Sequence, residues 1–480
     1  MAVVETKAPS LTRRSALELA AAIRAGESSS REVVEAHIEL VERRNPALNA
    51  LIATRFEEAR AEADAADARI AAAGEDEDLP PFLGVPITIK ESFALAGMPH
   101  TSGSLLREHV VAERSATAVQ RLVDAGAIPL GVTNVSELTL WIEAENRLWG
   151  RTNNAYDPRR TAGGSSGGEG AAVGAGLAPF GIGTDFGGSI RLPAFFNGCF
   201  GHKPTGCLVP LTGHYPTSNE RGTRMVGAGP LARRAEDLMP VLRAIAGPDR
   251  EDDWVRDVSL GDPADVSLDG LRVAISDDAT ILPVSLELRN ARIRAARALR
   301  DAGAEVVRVS LPSVKTVVEP YLNAVRESGA MRDIFAENGA DLPGARRLIA
   351  DAVRGRSTYT TALLLTILSE NVAEYMPEAL QRRAAAAERA LAYEVAEAIG
   401  DGVLLHPPFP RVAPRHGRTV GRPWILASAA VFNLLGLPVT QAPLGLNERG
   451  LPLGVQIAAG RDRDHVSIAV ALELERAFGG

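Results

Sequence analysis

The sequence predicts an α/β fold: a single large mixed β-sheet core flanked by helices on both faces. Two observations carry that expectation. Gly84 to Glu91 (GVPITIKE) is a short apolar run after a turn glycine, the signature of a buried strand. SATAVQRLVDAGAIPLGV then gives a helix, a cap at Gly126 and a strand, the order of a βα crossover. ARALRDAGAEVVRV repeats the helix–glycine–strand order after the strand LRVAIS.

The remaining elements follow in chain order. Residues 1–80 form an N-terminal helical segment packing on the core. Ser29 and Glu32 make a capping box, Val33, Val34, Ile38 and Val41 share a face, and Asn45-Pro46 ends the helix. EEARAEADAADARIAAAG gives a second helix, closed by an acidic loop from Gly74 to Pro81. Residues 81–246 and 400–480 supply the sheet core. Residues 247–399 add an α/β and helical region that contributes the substrate pocket, with Gly247 to Gly270 as a surface linker. LGLPVTQAPLGLNERGLPLGVQIAA alternates apolar runs with Gly and Pro, as a hairpin would, and a capped helix begins at Asp464. The whole reads as one large domain.

Composition narrows the function. Of 480 residues, 46% are hydrophobic and 23% charged, the balance of a soluble globular protein. A formal charge of -8 steers nothing toward nucleic acid or anionic membranes. Two cysteines, Cys199 and Cys207, are too few for a disulfide framework, and the eight histidines form no HxxxH or HExxH pair. A metal enzyme is therefore not expected, and no cofactor is called for. No N-terminal apolar run is long enough for a signal peptide or membrane span, which points to a cytoplasmic protein. Only four of the 52 basic residues are lysines: Lys7, Lys90, Lys203 and Lys315. A lysine kept against such a bias marks a place where arginine fails, because a buried lysine can shed its proton and arginine cannot.

The chemistry concentrates between Thr161 and Thr205, TAGGSSGGEGAAVGAGLAPFGIGTDFGGSIRLPAFFNGCFGHKPT, where glycine is far denser than elsewhere. Glycine permits close backbone approach, which active sites need. A helix of ~8 residues covers ~12 Å, and a return strand of ~4 residues covers about as much. The chain between Ser165 and Ser189 thus folds back and brings the two serines together. Three readings compete. A phosphate loop is discarded, because Glu169 stands where a lysine is required. Gly163-x-Ser165-x-Gly167 fits a nucleophile elbow, making the chain an α/β-hydrolase esterase with Ser165 as nucleophile. That reading needs a downstream acid and histidine, and His406, His416 and His465 lie in no recognisable loop after a strand. The third reading makes Ser189 the nucleophile.

The Thr161–Thr205 span, together with GVPITIKE, resembles the signature of the amidase signature family, and the likeness extends over essentially the whole chain. GGSSGGEG, with Glu169, and PAFFNGCFGHKPTG are most similar to the fatty acid amide hydrolase branch, alongside bacterial amidases and urethanases. The resemblance implies Ser189 as nucleophile, Ser165 as a bridging serine after a cis Gly164–Ser165 peptide, and Lys90 as base. It implies a serine hydrolase that cleaves the C–N bond of hydrophobic acyl or aryl amides, and of carbamates, through an acyl-enzyme. A dedicated carbamate hydrolase (urethanase), a carboxylic ester hydrolase with the same site, and the amidase subunit of a tRNA-dependent amidotransferase are alternatives. The partner is a small-molecule amide or carbamate, and a homodimer is compatible with this reading.

Chemistry explains these residue types. A serine hydroxyl is a weak nucleophile until its proton is removed. A lysine ending a buried strand is desolvated and can be a neutral base, and a second hydroxyl can pass the proton to it. Backbone N–H groups of Phe186, Gly187, Gly188 and Ser189, at a helix start, would bind the oxyanion. Asp185 and Arg191 read as a structural pair holding this loop, and Lys203 as a backbone anchor. Glu91 replaces the family's usual Asp; if its carboxylate only holds local backbone, the chemistry is unchanged.

Overall fold

The computed structural model describes residues 11–74, 77–217, 219–276, 281–373 and 376–479. Its strands are β1 (Leu51–Thr54), β2 (Pro86–Lys90), β3 (Ile128–Thr133), β4 (Glu145–Asn146), β5 (Gly150–Arg151), β6 (Phe180–Asp185) and β7 (Phe200–Lys203). They continue with β8 (Gly227–Ala232), β9 (Arg272–Ser276), β10 (Glu305–Val309), β11 (Val403–His406), β12 (Val439–Leu446) and β13 (Pro452–Ala459). Apart from the small β4–β5 hairpin they form one 11-stranded sheet, in the order β1-β3-β2-β6-β8-β7-β12-β13-β11-β9-β10. β2 runs parallel to β3 and to β6, and β9 parallel to β10 and to β11. The stretch from β6 to β11 is antiparallel throughout. This is the expected mixed sheet, flanked by helices.

Burial explains why the parallel strands read as continuous apolar runs. Every residue of β2, β3 and β6 is buried, as strands covered on both faces must be. Phe180 opens β6 at 0% exposure and packs on Phe82 with ring centroids 5.1 Å apart. The β9–helix–β10 unit extends the same sheet, because β9 pairs with β11.

Three local expectations need correcting. The N-terminal segment is not purely helical: β1 is an edge strand, antiparallel to β3. The helix capped by Ser29 and Glu32 runs through Pro46 to Leu48. Pro46 lies in the last turn, and the helix stops only where Asn49 turns left-handed at φ 51°. Asn45 Oδ1 then accepts the N–H groups of Ala50 (2.8 Å) and Leu51 (2.9 Å), which directs the chain into β1. The helix Asp464–Phe478 carries no side-chain cap. The Asp464 carboxylate instead accepts from Thr205 N and Oγ1, with His202 Nε2 3.0 Å away.

The topology fixes where chemistry can sit. β2 ends at Lys90, β3 at Thr133 and β6 at Thr184-Asp185, and Lys90 pairs with Thr133 in register. These are the carboxyl ends of neighbouring parallel strands, where α/β sheets open a crevice.

Candidate active site

Lys90 is fully buried at that crevice. Its Nζ lies 2.8 Å from Ser165 Oγ and 2.7 Å from Thr184 Oγ1. Burial lowers the ammonium to about 7, against the opposing pull of the Asp185 and Glu169 carboxylates. Glu169, also fully buried, accepts from Thr88 Oγ1 (2.7 Å) and Thr133 Oγ1 (2.8 Å). Burial pushes its carboxyl up to about 7. The lysine can therefore be neutral near physiological pH, as a general base must be.

The two serines arrive from opposite ends of a helix–strand return, the helix Gly167–Gly174 followed by β6. The Gly164–Ser165 peptide is cis. Ser166 N–H donates to the Ser189 carbonyl at 3.3 Å, and Ser136 N–H to the Ser165 carbonyl at 3.3 Å. Ser166 Oγ donates to the Thr184 carbonyl at 3.2 Å, tying this turn to β6. Ser189 is 7% exposed, and its hydroxyl makes no hydrogen bond among the described residues. It faces open space, whereas Ser165 Oγ faces Lys90.

Asp185 organises the loop that carries Ser189. Its carboxylate accepts Gly188 N–H (2.7 Å), Ile190 N–H (3.1 Å) and the Arg191 guanidinium (2.9 Å), with both side chains at 0% exposure. The pair is structural, as the sequence indicated. Arg191 also donates to the Ala429 carbonyl (3.1 Å), Asn433 Oδ1 (2.6 Å) and Gln456 Oε1 (2.7 Å). One expected oxyanion donor is thereby corrected: the Gly188 N–H already serves Asp185. The N–H groups of Phe186, Gly187 and Ser189 have no acceptor among the described residues. The helix itself begins only at Arg191, so these donors belong to the preceding loop. Gly188 holds φ +113°, and a Cβ there would lie 2.7 Å from Ala429 Cβ. A Cβ on Gly187 would meet Tyr321 Oη, which donates to the Phe186 carbonyl at 3.2 Å.

Ser189 opens on a cavity of about 120 Å³ with largely apolar walls, including Trp141, Ile142, Phe186, Tyr321, Val325 and Leu426. A smaller one beside it, about 40 Å³, reaches Ser165, Thr184 and His214. Thr139, Leu140 and Phe186 line both. Leu138 and Thr139 hold φ of 52° and 59°, left-handed values that cost a non-glycine residue ~1–3 kcal/mol. Such strain clusters where a rigid wall has a use.

Residues singled out elsewhere have other duties. Lys203 Nζ donates to the carbonyls of Pro204 (2.8 Å) and Leu437 (2.9 Å), the anchoring role expected of it. Glu91 accepts from Thr101 N–H, and from Thr101 Oγ1 at 2.6 Å, so it holds the loop after β2. Cys199 is buried in the core, and its thiol is pushed up to about 12. The sequence gives no sign of His214, whose Nε2 lies 3.2 Å from Thr184 Oγ1, or of Thr184 as a partner of Lys90. No spacing pattern marks the GHYPT turn as part of this site.

The family model "Amidase" matches residues 32–467. The chain belongs to the amidase family. As an amidase it is a hydrolase acting on amide bonds. It is 41% identical over 485 residues to fatty-acid amide hydrolase 2-A of Danio rerio, covering 97% of this chain and 89% of that protein. Among solved structures, 6-aminohexanoate cyclic dimer hydrolase superposes with a TM-score of 0.82 at 26% identity, covering 98% of each chain. A bacterial aryl acylamidase gives 0.81 at 26% identity, covering 97% of this amidase and 96% of that chain. No helix among the described residues is long and apolar enough to cross a membrane.

The Asp185–Arg191 pair yields a direct test. Arg191→Met leaves a carboxylate buried without its cation, which costs ~3–5 kcal/mol. The thermal midpoint of the variant should fall steeply, with loss of turnover. An unchanged midpoint would show that the pair does not hold the loop.

Proposed function

We propose that this amidase works through an acyl-enzyme, with Ser189 as nucleophile, Ser165 as proton relay and Lys90 as base. The observation that carries this reading is the buried Lys90 Nζ within 2.8 Å of Ser165 Oγ, lowered to about 7. Ser165 passes its proton to neutral Lys90 and takes the Ser189 proton as Ser189 Oγ attacks the carbonyl carbon. The tetrahedral oxyanion is met by the free N–H groups of Phe186, Gly187 and Ser189. Collapse expels the amine, protonated back through Ser165 from Lys90, and water then hydrolyses the acyl-Ser189 ester by the same route.

The cavity beside Ser189 supports a hydrophobic acyl or aryl group of modest size, since about 120 Å³ is small for an organic ligand site. The same arrangement attacks any carbonyl presented to Ser189, so aryl carbamates and esters join the substrate set. Tyr321, Leu322 and Val325 come from the 247–399 region, in keeping with its proposed part in the pocket. Turnover of a simple anilide by the isolated chain, without ATP or a second subunit, separates this reading from an amidotransferase subunit.

Ser189→Ala and Lys90→Ala should each lower kcat on a short acyl anilide by on the order of 10³-fold or more, as loss of a nucleophile or its base does. Near-normal turnover by either variant would overturn the mechanism. In the wild type, kcat/KM should fall as pH drops through about 7, because Lys90 then takes a solvent proton and ceases to be a base. Above that value the profile should be level. An acid limb centred below pH 5 would assign the base to another group.

A further inference from the structure

His214 is a buried residue for which the relay above has no use. It lies in the loop between β7 and β8, and its ring packs edge-on against Phe93, with centroids 5.0 Å apart. Nδ1 is 3.0 Å from the Pro216 carbonyl oxygen. A carbonyl only accepts, so Nδ1 carries the ring proton and Nε2 presents a lone pair. Burial, aided by the nearby Lys90 charge, lowers the imidazolium to about 3, so the ring stays neutral wherever the enzyme works. Two hydroxyls reach Nε2: Ser92 Oγ at 3.0 Å and Thr184 Oγ1 at 3.2 Å.

Thr184 links this ring to the base. Its Oγ1 is 2.7 Å from Lys90 Nζ, and a hydroxyl has one proton to give. With that proton on His214 Nε2, Thr184 can only accept from Lys90. Neutral Lys90 has two N–H bonds and one lone pair. Once an N–H is committed to Thr184, the lone pair is free for Ser165 Oγ, 2.8 Å away. The reverse arrangement, Thr184 donating to Lys90, would consume the lone pair and aim an N–H at Ser165. That polarity cannot take a proton from Ser165.

We propose that His214 is a positioning residue that acts through Thr184, fixing the direction of the hydrogen-bond chain so that the Lys90 lone pair faces Ser165. The inference rests on the Lys90–Ser165 relay and adds to it a third hydroxyl and a tautomer lock. It assigns Ser92 a competing role, since its hydroxyl draws on the same Nε2 lone pair.

The test compares kcat and KM for His214→Phe, His214→Gln, Thr184→Val and Thr184→Val/His214→Phe on one anilide, with thermal midpoints for folding. His214→Phe keeps the ring volume and removes the acceptor. Its kcat should drop on the order of 10- to 100-fold, part of the 10²–10⁴ that a positioned base supplies, with KM within about twofold. His214→Gln restores an acceptor oxygen and should recover kcat to within about fivefold of wild type. The double variant should be no slower than Thr184→Val alone, because His214 acts only through that hydroxyl. Wild-type kcat in His214→Phe, a Gln variant as slow as Phe, or additive losses in the double variant would overturn the proposal. If His214→Phe does not fold, His214→Leu, which also removes the acceptor, and its pairing with Thr184→Val make the same distinction. Failure of the underlying relay looks different: Lys90→Ala would then keep its turnover.

Discussion

A carboxylate withdrawn completely from water must have its lone pairs answered by donors, or it destabilises the fold that buries it. Asp185 meets that condition with the loop that carries Ser189. Gly188 N–H, Ile190 N–H and the Arg191 fork all point at it, and Arg191 in turn reaches Ala429, Asn433 and Gln456. Asn433 closes the ring by donating to both the Asp185 carboxylate and its carbonyl. Satisfying one charge therefore shapes a loop and leaves the N–H groups of Phe186, Gly187 and Ser189 without an acceptor among the described residues. Strands and helices more than 240 residues apart in sequence converge on this ion pair.

A second buried charge sits one strand away under the opposite rule. Asp185 is held well below the usual carboxylate range by Arg191 beside it, while the hydrogen-bond partners of Lys90 Nζ among the described residues are two hydroxyls. With no anion touching it, desolvation prevails and the lysine drops to about 7. Glu169, one helical turn past Ser165, is answered by the threonines of β2 and β3 and rises to about 7. The sheet thus buries a carboxylate in an ion pair and a lysine among hydroxyls, both at the ends of neighbouring parallel strands.

Much of this was legible in the amino-acid sequence, for physical reasons that differ by residue. The run PITI could be read because strands buried on both faces have no polar alternation to obscure them. Lysine scarcity pointed to Lys90, yet it marked Lys203 equally, and Lys203 anchors backbone carbonyls. Scarcity says that arginine does not fit, not which task the lysine performs. The elbow pattern around Ser165 marks a true turn, but local spacing does not say which of the two serines attacks. The roles of Ser165 and Ser189 came from the family likeness.

What stayed hidden was contact between distant segments. β1 is short, edge-placed and follows a proline-bearing helix, so propensity gave it no voice. His214 lies 30 residues beyond Thr184 and 122 beyond Ser92, and only the fold brings these hydroxyls to one nitrogen. Gly188 was counted as an oxyanion donor because sequence cannot say which N–H a buried carboxylate will claim.

The assignment of Ser189 as nucleophile is tested most directly by labelling the enzyme with a fluorophosphonate and mapping the adduct by mass spectrometry. A single covalent adduct on Ser189 is expected. An adduct on Ser165, with Ser189 unmodified, would contradict the assignment and return the site to the nucleophile-elbow reading.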